Sequence, residues 1–384
     1  MHGTQTSDPR IPEAVVRSAV ADAFLAPSSH NAQPCSALWA RSEAARGAVR
    51  AALGSGVRSA SSYLVICLVP ERCLSSLPQH RTEMMLSTGA FAENLVVSLR
   101  AQGVTCEVDC CPPPAALGKA AERWLGDWQP AAVLRLVGPG EPDPACVAVR
   151  AALPLRTTNR APYQPRLPER TASRLRQARS IAFPDAAELC SLEVIEQRQT
   201  REHLGDFFAR HAGRELRHRA SWAETYRHIR FSGRADDGLP IGNLLARPVG
   251  GLSGAVLGWL LAPRVMSGLS RVGAAHLFAR KAGKVVAAAP LALYLRARSE
   301  APDEAAVIAA GARMQAVWLA ATEDAVAVHP VSVALQHEEL REAFARACQA
   351  PAGRGLWFAR VGVPTASVPP APRPAEPWLR VRVA

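Results

Sequence analysis

Two short polar segments hold most of the side chains that could do chemistry in this chain. The first, residues 26–34, reads A-P-S-S-H-N-A-Q-P, with two serines, an asparagine and a glutamine between two prolines. The second, residues 156–163, reads R-T-T-N-R-A-P-Y, with two arginines and two threonines ahead of a proline. Hydroxyl and amide groups form hydrogen bonds without ionising, whereas a guanidinium binds an oxyanion through two parallel donors. Neither segment is a complete ligand site by itself.

The first segment suits a flat heteroaromatic ring. Ser28, Ser29, Asn31 and Gln33 supply uncharged donors and acceptors of the kind that a flavin ring requires. The prolines on either side restrict the backbone that carries them. The alternative is an ordinary turn that ends a helix, because Pro, Ser and Asn are common in turns. The whole string, directly after an apolar helix, favours the ring-binding interpretation.

The second segment suits an anion. Alternation in an extended stretch places Arg156, Thr158 and Arg160 on one side, where two guanidiniums and a hydroxyl form a clamp for phosphate or carboxylate. The alternative is a set of solvated surface arginines. Pro162 and Tyr163 follow directly and are expected to fix the exit of the chain and to wall a pocket. A ring site and a phosphate clamp together match the two ends of flavin mononucleotide (FMN).

No side-chain catalyst is evident in the sequence. His30 and His329 are interpreted as hydrogen-bonding or surface residues, and no Ser–His–Asp set, H-E-x-x-H motif or Walker loop occurs. The nine cysteines lack paired C-x-x-C spacing. The best metal candidate, Cys106 with Cys110 and Cys111, lies on an alternating stretch that favours a strand. We therefore predict no catalytic residue, no metal and a reducing compartment.

Composition limits the partners. The 384 residues, 48% of them hydrophobic, carry a formal net charge of +12. Only three cations are lysines and the arginines are spread along the chain, which indicates a coding bias more than a nucleic-acid surface. Residues 249–262 are apolar but too short to span a membrane and predict a buried or lid helix. With no secretory signal at residues 1–10, we expect a cytoplasmic protein with a small-molecule substrate and neither nucleic acid nor membrane as partner.

The chain divides near residue 150, and each part alternates helices with apolar strands, as in a layered α+β or α/β domain. Before the division, we predict helices at 11–26 and 83–101 and strands at 36–40, 62–69, 104–110 and 131–137. After it, we predict a helix at 168–179, strands at 188–195 and 286–295, and a helix that opens near Gly311. Similar Gly-Ala helices at 89 and 311 indicate a tandem duplication. Residues 200–285 interrupt the repeat as a candidate cap, and the tail from Pro364 is expected to run along the other half.

On these residues the chain resembles the nitroreductase-like flavoproteins, and within them the Acg-type branch, in which two nitroreductase-type halves are fused. The resemblance rests on the two opening segments, on D-D-G-L-P at 236–240, and on G-A-R-M-Q-A-V-W-L-A-A-T at 311–322 with the tail around Arg373. It implies an α+β tandem nitroreductase-like pseudo-dimer with a helical lid insertion. The halves would be residues 1–150 and 151–384, the second interrupted at 200–285, and the molecule either a monomeric pseudo-dimer or a homodimer.

The resemblance also assigns roles. One FMN per chain would lie between the halves, with Arg156, Thr158, Arg160 and Arg373 at its phosphate. The turn residues Ser28, Ser29, Asn31 and Gln33 would face the ring and the ribityl chain. Three departures stand out, because Cys35 replaces a tryptophan, Asn159 an acid and Ala161 an arginine. The first bears on the pocket wall near the ring and the last on the strength of the clamp.

The expected function is that of an FMN-dependent oxidoreductase, with hydride transfer through flavin N5 to or from a small organic substrate and NAD(P)H as a candidate electron donor. The rival is a lidded FMN-binding or sequestering protein without NAD(P)H-driven turnover, because an insertion could cover the ring face on which a nicotinamide stacks. A third interpretation is an arginine-rich interaction module whose clamp is only surface charge.

Overall fold

The structure, a computed structural model, describes residues 11–54, 60–111, 113–233 and 235–384. The expectation about a secretory signal at residues 1–10 lies outside them. The strands are β1 Cys35–Ala40, β2 Ser62–Leu68, β3 Val104–Cys110, β4 Gln129–Pro139, β5 Cys190–Ile195, β6 Ile229–Arg230, β7 Leu239–Pro240, β8 Leu291–Ala297, β9 Ala327–Pro330, β10 Gly355–Gly362 and β11 Val381–Val383. The helices are α1 Glu13–Ala23, α2 Glu43–Leu53, α3 Gln79–Ala101, α4 Ala116–Ala120, α5 Glu122–Leu125, α6 Pro144–Ala152, α7 Thr171–Gln177, α8 Ala186–Leu189, α9 Arg198–His211, α10 Arg214–Arg217, α11 Arg219–His228, α12 Ile241–Leu245, α13 Gly251–Leu261, α14 Pro263–Arg271, α15 Ala274–Ala287, α16 Glu304–Glu323, α17 Val333–Gln336 and α18 Glu338–Ala347.

Two sheets repeat one topology. The first has the order β11-β1-β2-β4-β3 and the second the order β5-β8-β10-β9. In each, two antiparallel strands are followed by a long helix, α3 or α16, and then by two strands of which the later one lies inside the sheet. The strands β1, β2, β3 and β4 therefore correspond to β5, β8, β9 and β10. The fold is an α+β tandem of two nitroreductase-like units, as expected from the sequence.

The two long helices cross at matching glycines. A Cβ on Gly89 of α3 would lie 1.9 Å from the carbonyl oxygen of Ile308, and one on Gly311 of α16 would lie 2.2 Å from that of Leu86. Each contacted carbonyl belongs to the residue three positions before the glycine of the partner helix. The crossing is therefore symmetric, and it brings the two backbones closer than any larger residue permits.

Several predicted bounds are wrong for a common physical reason. The helix expected to open near Gly311 begins at Glu304, where the Asp303 side chain caps it by accepting from the Ala306 amide at 2.8 Å. Gly89 and Gly311 thus lie inside their helices, not at the openings. Residues 286–287, predicted as strand, end α15 instead. Runs of Ala and Val have no clear period, so they do not distinguish a helix from a strand.

The insertion and the tail complete the fold. Helices α9 to α15 interrupt the second unit between β5 and β8. The tail ends in β11, which pairs in parallel with β1 of the first sheet, and this confirms that it runs along the other half. Both elements reach the first unit at the turn formed by residues 28–33, so they close over the candidate site.

Candidate functional site

A cavity between the two units brings most of the predicted site residues together. Its lining includes the turn after α1, helix α3, residues 156–160, helix α16 and the tail. The predicted residues in this lining are Ser28, Ser29, Asn31, Arg156, Thr158, Arg160 and Arg373. Residues far apart in sequence therefore meet at one place, and each unit supplies a different chemistry to it.

The turn has an unusual backbone. Residues Ser29–Asn31 form a single 3-10 turn, and His30, Asn31 and Gln33 all have φ of 52°. A left-handed φ is unfavourable for most residues and is best tolerated by Asn among these three. The Ser28 hydroxyl accepts from the Gln33 amide at 2.9 Å and closes the turn. Such strain persists only where the surroundings hold it, which is typical of ligand sites.

The insertion and the tail hold this turn from outside. The Asn31 side-chain amide donates to the carbonyls of Gly238 and Pro372, both at 3.0 Å, and the Gly238 amide donates to the Asn31 carbonyl at 3.1 Å. Asp237 of the same D-D-G-L-P loop forms ion pairs with Arg72 and Arg230. The loop therefore lies on the turn, and Leu239 and Pro240 extend the cavity wall.

Gln33 does not line the cavity, which corrects its predicted contact with a ring. Its side-chain NH₂ donates to the carbonyls of Asp236 and Pro372 at 2.8 and 3.0 Å, and its oxygen accepts from Arg380 at 2.8 Å. These bonds join the turn to the loop and to the tail. The left-handed φ at Gln33 directs its side chain away from the cavity that Ser28 and Asn31 face.

Two buried guanidiniums converge at the base of the turn. Nη2 of Arg156 donates to the Leu25 carbonyl at 3.0 Å, and Nη2 of Arg373 donates to the same carbonyl at 3.2 Å. Arg156 is only 7% exposed, and its Nε and Nη1 have no partner within the part of the chain that the structure describes. Burial, and then the charge of Arg373, lower the pKa of Arg156 to about 9, so it stays protonated at neutral pH.

Neither of these arginines has a carboxylate partner among the described residues. Arg373 donates from Nη1 to the Asn31 side-chain oxygen at 2.5 Å, and its Nε has no partner there. Burial lowers the pKa of Arg373 to about 10. Two adjacent cations without a counter-charge repel each other, and burial strengthens this repulsion. An anion placed between them would satisfy the free N–H groups and relieve the repulsion.

Arg160 and Thr158 extend the cationic wall from the second unit. Buried Arg360 fixes this segment, since its Nη2 donates to the carbonyls of Arg160 and Ala161 at 2.9 and 3.0 Å. Burial is the largest of the effects that lower the pKa of Arg160 to about 10. Tyr163 does not wall the cavity as expected, because its ring packs against the Arg360 guanidinium at 4.0 Å.

Sequence reasoning missed a carboxylate in the cavity. Glu83 of α3 lines it, accepts from the Ser29 hydroxyl at 2.5 Å and accepts from the Gln336 side-chain amide at 2.9 Å. The glutamate is 54 residues from Ser29 in sequence, and no local motif marks it. The apolar wall also went unrecognised: it includes Leu86, Met314, Trp318 and Leu356. Only the packing of α3 on α16 brings these side chains together.

His30 lines the cavity without a charge. Burial first, and then the nearby rings of His228 and His80, lower the pKa of His30 to about 3. Its Nδ1 is buried and has no partner in the described part of the chain. His30 is therefore a neutral cavity residue and not the surface or hydrogen-bonding residue that the sequence suggested.

Two of the departures from the family pattern have structural roles. Cys35 is buried beside Thr88 in the core and lies outside the cavity lining, so it does not alter the wall. Asn159 is also buried; it donates to the Ala366 carbonyl at 2.8 Å and accepts from the Ala161 amide at 2.9 Å. It thereby connects the clamp segment to the tail. Across the described ranges, no group of His, Cys, Asp or Glu could hold a metal ion.

Comparisons with known proteins agree with this architecture. No protein-family model matches the chain. A probable NAD(P)H nitroreductase, PigM, from Serratia sp. (strain ATCC 39006), is 27% identical over 383 residues, covering 96% of this chain and 93% of the relative. The crystal structure of a putative nitroreductase from Anabaena variabilis ATCC 29413 superposes with a TM-score of 0.52 at 10% identity, covering 92% of this chain and 90% of that one.

Both similarities extend over the tandem arrangement and not over one unit alone. The fold is therefore that of the nitroreductases, in a form in which one chain contains two units. Over nearly its whole length the chain is similar to a nitroreductase relative and has the nitroreductase fold, in agreement with the sequence resemblance.

Proposed function

We propose that the cavity between the two units binds FMN and that the protein is an FMN-dependent oxidoreductase acting on a small organic substrate. The observation that carries this proposal is the convergence of Arg156 and Arg373 on the Leu25 carbonyl, where no carboxylate of the described residues neutralises them. A phosphate group suits such a pair, because it accepts several charge-assisted hydrogen bonds at once.

The residues present fit the cofactor at both ends. At the anionic end, the unpartnered Nε and Nη1 of Arg156 and the Nε of Arg373 are buried donors that require acceptors. Arg160 and Thr158 would complete the phosphate site. At the ring end, the hydroxyl groups of Ser28 and Ser29 lie beside an apolar wall, as a flat, partly polar heterocycle requires. The Asn31 amide, which also lines the cavity, uses both of its N–H groups to hold the loop and the tail.

The protein's contribution is to bind, to orient and to exclude water. When bound, FMN supplies the redox chemistry, because its N5 exchanges hydride with a substrate or a nicotinamide. The Ser29 hydroxyl donates to Glu83 at 2.5 Å, so its proton is committed and its oxygen remains as an acceptor in the cavity lining. The D-D-G-L-P loop and the tail restrict solvent from one side. No side-chain acid or base is assigned to the reaction.

Removing the clamp tests the proposal. We expect the double variant Arg156→Ala with Arg160→Ala to bind FMN at least about 100-fold more weakly, because each lost charged hydrogen bond is worth about 1.5–3 kcal/mol. The measurement is the dissociation constant by flavin fluorescence quenching. The matched control is Arg166→Ala with Arg170→Ala, which removes two exposed arginines close by in sequence. Unchanged affinity in the clamp variant, or an equal loss in the control, would count against this site.

This proposal and its alternative differ in whether NAD(P)H reduces the flavin. The alternative is a lidded FMN-binding or sequestering protein without NAD(P)H-driven turnover. One observation favours the alternative: the loop lies directly on Asn31 and is fixed by the two ion pairs of Asp237. Such a cover would keep a nicotinamide from the ring. The PigM relative is called a probable NAD(P)H nitroreductase, which favours turnover.

Anaerobic titration separates these two functions. Under the preferred function, NADH or NADPH bleaches the flavin absorbance of the FMN-loaded protein, and a small organic acceptor restores it. Under the alternative, the nicotinamides leave the spectrum unchanged while dithionite still bleaches it. A protein that stays colourless when mixed with FMN excludes both and leaves the arginine-rich interaction module.

The finer assignments complete the proposal. The two halves are residues 1–150 and 151–384, with the insertion at 200–285 as the lid, and the Acg-type branch is the subgroup that this arrangement suits. Because both units are in one chain, the molecule needs no second copy to complete the cavity, so we assign it as a monomeric pseudo-dimer that shares one FMN.

A further inference from the structure

The insertion carries an exposed apolar face that the fold leaves uncovered. On α13, Leu252, Val256 and Trp259 follow the i, i+4, i+7 spacing of one helix face, and Leu252 and Trp259 are 84% and 66% exposed. The opposite face packs on the rest of the insertion, because a Cβ on Gly254 would lie 2.4 Å from the Phe231 carbonyl oxygen. Large apolar side chains grouped at one surface mark an interaction site more often than scattered ones do.

The same surface continues beyond α13. Helix α14 packs between α13 and α15, and next to it Val272 and Leu277 are 82% and 68% exposed. Helices α13 and α14 together have the length and composition of a membrane segment, but they are bent by 66° at their junction. A bent, short apolar helix pair is not suited to spanning a bilayer, but it is suited to lying in the membrane interface.

The charge of this region has one sign. Residues 238–299 contain no Asp or Glu. The insertion contributes six exposed cations to this stretch, and none of them has a carboxylate partner among the described residues: Arg247, Arg264, Arg271, Arg280, Lys281 and Lys284. Two of the three lysines of the chain are among them. Within this stretch of the chain, therefore, none of these six cations has a carboxylate partner among the described residues.

Apolar side chains framed by unpaired cations limit what can cover this surface. A second copy of the chain would bring like charges together, which opposes association. A nucleic acid would leave the apolar face exposed to water. An anionic phospholipid surface satisfies both features, because its headgroups attract the cations and its acyl boundary accepts Leu252 and Trp259.

We propose that helices α13 to α15 dock this protein on the surface of an anionic phospholipid bilayer, with the apolar face of α13 in the interface and the cations on the headgroups. This proposal replaces the expectation that the protein has no membrane partner. The docking does not require a bound cofactor, so its test is independent of the test of the proposed function.

Vesicle flotation of the full chain tests the docking. We expect the protein to float with vesicles of phosphatidylcholine mixed with an equal amount of phosphatidylglycerol, and to stay at the bottom with phosphatidylcholine alone. Raised salt should weaken the binding, because screening reduces the attraction between cations and headgroups. Equal flotation with both vesicles, or with neither, would overturn the proposal.

Matched substitutions locate the surface. Lys281→Glu with Lys284→Glu should lower the vesicle partition coefficient at least about tenfold, since each basic residue near an anionic surface contributes about 1 kcal/mol. Lys119→Glu, at the remaining lysine, which is exposed on α4, should leave binding nearly unchanged. Leu252→Glu should also abolish flotation, whereas Val147→Glu on exposed α6 should not. Equal losses in the two controls would contradict the assignment.

Two further readouts complete the test. Thermal unfolding followed by circular dichroism verifies that each variant is folded, and these exposed positions are expected to leave the midpoint unchanged. Light scattering after size-exclusion chromatography measures whether the protein forms a dimer. A dimer that Leu252→Glu dissociates would show that a second copy of the chain covers this face. Binding to RNA in place of vesicles would identify a nucleic-acid surface. Either of these results overturns the membrane proposal.

Discussion

At the scale of single residues, the site is defined by charges that the protein leaves unbalanced. Arg156 is buried with two free donor nitrogens, and Arg373 lies beside it with one. Most buried cations in folded proteins are paired, because an unpaired charge in a low-dielectric interior costs several kcal/mol. The protein retains this arrangement where an anionic ligand would compensate it, which is the physical basis for placing a phosphate there.

His30 gives a pH prediction at the same scale. Because burial and two neighbouring rings lower its pKa to about 3, the imidazole is neutral in the free protein above about pH 4. We therefore expect the FMN dissociation constants of the wild type and of His30→Gln to follow parallel pH profiles from about pH 5 to about pH 8. A wild-type inflection near the ordinary histidine pKa of 6.5 that the variant lacks would show instead that His30 titrates at the site.

The sequence identified the residues of this site whose chemistry is local. The serines and Asn31 stand out because two prolines bracket them, and Arg156 and Arg160 because they alternate within one short segment. Gln33 was misplaced because the residue types of a turn do not reveal a left-handed backbone. Glu83 was missed because its partner Ser29 is reached only through the tertiary fold. Features set by neighbouring residues could thus be predicted from the sequence, whereas features set by tertiary packing could not.

At the scale of elements, the crossing of α3 and α16 is the joint between the two units. We expect Gly89→Ala to lower the free energy of unfolding by about 3 kcal/mol, since the added methyl group would meet the Ile308 carbonyl oxygen and drive the helices apart. The control is Gly47→Ala in α2, where a Cβ meets nothing within 4 Å; we expect it to be stabilising by about 0.5–1 kcal/mol. Urea unfolding monitored by circular dichroism measures both, and a Gly89→Ala midpoint equal to wild type would contradict this account.

The elements show why helix and strand bounds were partly predictable. β3 occupies the residues that its alternation indicated, and the long helices were found from their length and apolar character. Their openings were placed too late, because an internal Gly-Ala resembles a terminus when packing is unknown. The apolar stretch at 249–262 was expected to be a buried or lid helix, but α13 is largely exposed. Hydropathy indicates that a segment needs a partner and does not identify it.

At the scale of the whole molecule, the duplication is symmetric in topology and asymmetric in chemistry. Both units have the same strand order and meet at paired glycines, so a true homodimer of either unit would have two equivalent cavities. Here the turn at residues 28–33 belongs to the first unit, and Arg156 and Arg160 follow that unit at the start of the second. Within the residues that the structure describes, the tail of the second unit crosses to the first and adds Arg373 to the same cavity.

This asymmetry predicts one FMN per chain. We expect native mass spectrometry of the reconstituted protein to show a single bound flavin per polypeptide, and absorbance against protein concentration to give the same ratio. The clamp variant Arg156→Ala with Arg160→Ala should lower this ratio towards zero, because two of the guanidiniums proposed to hold the phosphate are removed. A ratio of two in the wild type, or of one in the clamp variant, would mean that flavin binds elsewhere and that the duplicated unit has kept a site of its own.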